Sequence, residues 1–112
     1  MDIDKETLKV ISDIVKSELS AEIKKAFGED AKDDPLTLSA LDCSSDLTLE
    51  YMHYMYEKDD EAKQKHLDNM KHIKQTLKHI ENVKKYDFYS TTLNIMGKVI
   101  AKVIIAGIST MV

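Results

Sequence analysis

The chain closes on LNIMGKVIAKVIIAGISTMV, Leu93 to Val112, its most apolar stretch, and that stretch carries Lys98 and Lys102 in its first half. Read as a helix, it has one narrow polar stripe: Asn94, Lys98, Lys102 and Ser109, with Ile105 among them. A helix apolar on nearly every side must be covered on several sides. Lipid and protein are the available covers. A membrane span needs about 20 apolar residues, but the uncharged tail after Lys102 supplies only about 15 Å of helix. On the insertion scale a central lysine costs about 2.5–3.5 kcal/mol, and each Ile, Leu or Val returns about 0.3–0.6 kcal/mol. With two lysines the balance comes out near zero or unfavourable. A helix lying on a bilayer wants a broad lysine-rich face, and this stripe is thin. Burial in protein is therefore the expectation, with self-association completing the cover. Gly97, Ala101 and Gly107 would let helices approach closely. The side chains expected at an oligomer or membrane contact are Ile95, Val99, Ile100, Val103, Ile104, Ile108 and Met111.

The remainder of the chain reads as helix. Among 112 residues there are 3 Gly and 1 Pro, too few breakers for an all-β fold with its many turns. Leu8, Ile11, Val15, Leu19, Ile23 and Ala26 recur at helical spacing and predict an amphipathic helix over 4–27, capped by Asp2 or Asp4 and ended by Gly28. Residues 28–45 read as an acidic loop with a short helix opened by Asp34-Pro35. From Asp46 the apolar stripe continues through Leu47, Tyr51, Tyr54, Met55, Ala62, Met70, Ile73, Leu77 and Ile80, predicting one long helix over 46–86. Its weak point is EKDDEAK, where Asp59 or Asp60 would cap a fresh helix. The apolar helix follows over 92–111. The fold class is all-α, a single helical domain over 1–112 of coiled-coil or bundle type, and oligomeric.

Charge is unevenly placed. Residues 28–61 hold eleven acids against two lysines, and residues 62–86 hold seven lysines against two acids. Two such segments can pair within one chain or between copies. Every one of the 16 basic residues is lysine. Specific phosphate or base readout favours the guanidinium fork, so specific nucleic-acid binding is not expected. A lone Cys43 forms no internal disulfide, and MDIDKETLK does not resemble a signal peptide, so synthesis in a reducing cytoplasm is expected.

No phosphate-binding Gly-rich loop, Cys-x-x-Cys pair or nucleophile signature occurs, so no catalytic residue is assigned, no cofactor is expected and an enzyme is not expected. Glu50, His53 and Glu57 share a narrow sector of a helix. The Glu-x-x-His pair is similar to the ligand motif of ferritin-like carboxylate di-iron proteins, which use two such motifs. That resemblance implies a symmetric dimer supplying the second motif, with Glu18 or Glu22 from the first helix. These residues are weak metal candidates, and solvation of a helix face is the competing reading. His66 falls on the apolar stripe and reads as a hydrogen-bonded seam residue. Met52 and Tyr56 fall off the stripe and read as a partner contact. The expected function is that of a small non-enzymatic helical assembly or adaptor subunit, such as a structural component of a viral particle or secretion-type complex. The alternatives are a protein whose last helix inserts in a membrane after oligomerising, and a ferritin-like metal-binding protein.

Overall fold

A computed structural model describes the backbone of residues 5–111 and the side chains of residues 5–102, Lys32 apart. The described residues form an all-α fold without strands: α1 (Lys5–Phe27), a 3-10 turn η1 (Glu29–Asp33), α2 (Pro35–Tyr56), α3 (Asp60–Lys84) and α4 (Phe88–Met111). The caps expected at Asp2 or Asp4 lie outside the described residues.

The predicted rod over 46–86 is not formed. Forty-odd helical residues would span about 60 Å, and the longest axis of the molecule is 43 Å. The chain reverses at residues 57–59 instead. Glu57 folds its carboxylate back on the turn, its Oε1 accepting from the backbone N–H of Lys58 and of Asp59, each at 3.1 Å. Asp59 then caps α3 by accepting from Ala62 N–H at 2.9 Å. Orphaned donors at a helix start favour such a side-chain acceptor. Folding back lets α3 bury Leu77 and Ile80, which an isolated rod would leave wet.

A second difference lies at the start of α2. Asp34 caps it, accepting from Thr37 N–H at 2.9 Å, and Pro35 follows at the first helical position. No new helix opens at Asp46: α2 runs straight through it, and the serine and threonine hydroxyls around it bond to carbonyls or to α1. Ser44 Oγ donates to Leu41 O at 2.7 Å, and Thr48 Oγ1 donates to Ser44 O at 2.7 Å. Ser45 meets Ser12 of α1, whose hydroxyl contacts both the Ser45 hydroxyl and, at 3.2 Å, its carbonyl.

The core is built from Leu8, Ile11, Val15, Leu19 and Ile23 of α1 against α2, with Leu77 and Ile80 of α3 and Ile95, Met96, Val99 and Ile100 of α4 closing it. At one end Phe27, Tyr86 and the fully buried Phe88 stack edge to face, with centroids 5.4 and 4.9 Å apart. Tyr86-Asp87-Phe88 is thus the link that turns α3 into α4, and α4 begins at Phe88, four residues before the predicted start. Its first turn is held from outside: Glu81 Oε1 of α3 accepts from Tyr89 N–H at 2.7 Å.

Among the described residues, two backbone positions carry positive φ. Gly28, after α1, has φ 88° and ψ −179°, an extended mirror conformation rather than the left-handed helical one expected of it. Lys85, after α3, sits in the left-handed region at φ 57°. A side chain is disfavoured in both places, and glycine is not. Opposite outcomes are expected in urea unfolding. Lys85→Gly should stabilise by about 0.5–1 kcal/mol, and Gly28→Ala should destabilise by about 1–3 kcal/mol.

Candidate functional site

Three features reach the surface with structure around them: an apolar groove, a ridge of carboxylates with two histidines, and the lysine face of α3. The groove lies between the second half of α2 and α4, and has a volume of 370 Å³. Its floor is Met96 and Ile100, both buried; its sides are Tyr51 and Met55 of α2 and Leu93, Gly97 and Ala101 of α4. Tyr51, Met55 and Leu93 are 37%, 39% and 42% exposed. A Cβ placed on Gly97 would meet nothing within 4 Å, so the α4 side of the groove is an open notch.

This site inverts part of the expected assignment. Met52 is only 2% exposed and belongs to the core, and Tyr56 is half-buried against it. Tyr51 and Met55, expected inside, are outside. Ile95, Val99 and Ile100, expected to meet a partner, pack within this chain's core. Burial of those three on the inward face of α4 leaves Leu93, Gly97 and Ala101 as its outward apolar line. The side chains of Val103, Ile104, Ile108 and Met111 lie outside the described residues. Asn94, Lys98 and Lys102 are exposed.

Along α2, Asp42, Asp46 and Glu50 stand one turn apart. Lys16 of α1 pairs with Asp42 at 2.9 Å, and His66 Nδ1 of α3 meets Glu50 Oε2 at 2.7 Å. Asp46 between them has no counter-ion of its own among the described residues. Partial desolvation of this exposed residue, then Asp42 and Glu50, pushes its carboxyl above the ordinary value of 3.8. Burial likewise pushes the Cys43 thiol up, and Asp46 and Asp42 add to it, the reverse of what a reactive thiolate needs.

His53 stacks on His66, rings 5.4 Å apart and 14° from parallel. Glu50 and His53 are therefore brought together, but with His66 of α3 rather than with Glu57. The Glu57 carboxylate is occupied in the turn, so the expected Glu50–His53–Glu57 set does not assemble. Glu22 pairs with Lys25 on its own helix. Among the described residues no group of three or more His, Cys, Asp or Glu is placed to hold a metal ion. His66 is the seam residue that its place on the stripe predicted.

No family model, curated protein or solved structure matches the chain. Among the described residues, no helix is long and apolar enough to cross a membrane.

The two unusual carboxyls set opposite pH dependences. Thr37 N–H, then its hydroxyl, holds Asp34 below 3.8, with Lys84 at 3.2 Å assisting. Its contribution is complete above 3.8 and is lost as pH falls through the lower folded value. The Asp46 penalty is complete above its raised folded value and fades as pH falls through it. In thermal melts, Asp46→Asn should raise the Tm at neutral pH, and the gain should shrink on mild acidification. Asp34→Ala should lower the Tm at neutral pH, and the loss should narrow only in stronger acid.

Proposed function

We propose that the protein is a small helical assembly subunit that works by helix–helix association and carries no chemistry of its own. The observation that carries this reading is the outward apolar groove of Tyr51, Met55, Leu93, Gly97 and Ala101. Adaptable Met and Tyr side chains beside a glycine notch suit close contact with a partner helix. The partner is taken to be the same surface of a second copy, placed about a two-fold axis so that α4 lies along α4. Lys98 and Lys102 then remain on the rim, solvated.

Sedimentation of the full chain without detergent tests this. At high salt the natural sequence should still run as a dimer. Leu93→Glu or Met55→Lys should weaken dimerisation at least about tenfold, as expected for a central apolar contact. Both side chains are exposed in the monomer, so the circular dichroism should be unchanged. A natural chain that is monomeric at every concentration would sink the reading. Association seen only in detergent or vesicles would favour insertion of α4 instead.

A further inference from the structure

The lysine face of α3 is left out of the groove, and among the described residues Lys71 and Lys74 on it have no carboxylate partner. The two acids of residues 62–86 are both engaged locally. Asp68 accepts from Gln64 at 3.0 Å, and Glu81 accepts from Tyr89 N–H while its other oxygen meets Lys78 at 3.3 Å. Lys71, Lys74, Gln75, Lys78, His79 and Asn82 line one furrow on the outer side of α3, all of them exposed. Two of these lysines are already positioned, because Lys74 and Lys78 stand over the Tyr89 ring at 5.1 and 5.5 Å. A cation held on an aromatic face has lost part of its freedom before any partner arrives.

The matching charge is on the same chain but out of reach. η1 carries three acids, Glu29, Asp30 and Asp33, against one lysine, Lys32; the acids are all exposed and without a cationic partner among the described residues. Among the described residues, the backbone of η1 packs on α1 and α2 and not on α3. Among the described residues, α3 meets the acidic segment through two ion pairs only, Lys84–Asp34 at 3.2 Å and His66–Glu50. Neither Lys84 nor His66 lines the furrow. Among the described residues, Lys71 and Lys74 on α3 and Glu29, Asp30 and Asp33 on η1 are thus charges without an ion-pair partner, on separate elements.

We propose that the outer face of α3 docks the η1 corner of a second copy, head to tail. This extends the assembly reading above by a second, electrostatic interface. A heterologous contact does not close on itself in a pair, so it propagates into a ring or an open chain of copies. Each lysine meets a carboxylate as a point charge, so the contact depends on matching patches of opposite sign rather than on a bidentate fork. The contact is exposed, and salt screens it.

Sedimentation velocity at low and high salt tests the proposal on the full chain. At low salt the natural protein should grow beyond the dimer. At about 0.5 M salt this growth should weaken about tenfold or more, the dimer remaining. Two charge-reversed variants are then compared: Lys71→Glu with Lys74→Glu, and Glu29→Lys with Asp30→Lys. Each alone should stop at the dimer. Mixed, the acidic α3 face of the first meets the basic η1 corner of the second, and growth should return. The milder pair Lys71→Gln with Lys74→Gln should weaken growth in the same direction.

Return of growth on mixing also shows that both variants are folded. Growth of either charge-reversed variant alone, no recovery in a mixture whose components melt normally, or growth insensitive to salt would overturn the proposal. So would a natural chain that binds anionic vesicles but never exceeds a dimer. The groove reading is judged separately. Leu93→Glu should abolish the salt-resistant dimer while leaving salt-sensitive growth, so each interface can fail without the other.

Discussion

The chain reversal at Glu57–Asp59 is the constraint from which the rest of the arrangement follows. Glu57 supplies acceptors for two backbone donors, and Asp59 supplies the cap for the next helix. With those in place α3 returns along α2, and α1 covers the other flank of α2. α4 then lies against α1 and α3, turned there by the Phe27–Tyr86–Phe88 stack. The molecule is only 19 Å deep along its shortest axis, about two helix diameters. A body two helices thick has no position in which a helix is covered on all sides. One line of α4 therefore stays outward whatever the sequence places there.

What could be read from the residues depended on how burial was satisfied. The apolar periodicity of α1 was plain, and Leu8, Ile11, Val15, Leu19 and Ile23 are the buried set. α2 was misread because its inward face includes Thr37, Ser44 and Thr48 beside Ala40, Leu41, Leu47 and Met52. Those hydroxyls count as polar in any periodicity, yet two of them donate to carbonyls of their own helix and so enter the core at little cost. Without them the apparent stripe rotates towards Tyr51 and Met55. Small hydroxyl residues at a helix crossing, here Ser12 against Ser45, were the missed signal.

The candidate site was legible only in outline. That α4 would keep an apolar flank followed from its composition. Which flank did not, since the choice depends on Phe27 and Tyr86 packed at its first residue and on Glu81, all of which lie outside the helix. The Glu50–His53–Glu57 spacing placed three groups on one sector of an ideal helix, but α2 ends where Glu57 is needed as a turn acceptor. Tertiary contact then gave Glu50 to His66. A spacing on one helix says nothing about a carboxylate recruited by the next element.

Lys98 and Lys102 settle into this arrangement without being buried. Their stripe and the Leu93–Gly97–Ala101 line differ by one residue, so they lie about 100° apart around α4. A helix seated in the groove would cover the second line and leave the first in water. A bilayer would have to cover both, and each central lysine would cost about 2.5–3.5 kcal/mol. Protein contact on one flank can therefore hide apolar surface without desolvating either ammonium, which lipid all round cannot. On the association reading, the lysines have a physical role: they favour a cover that takes one side of α4 over one that surrounds it.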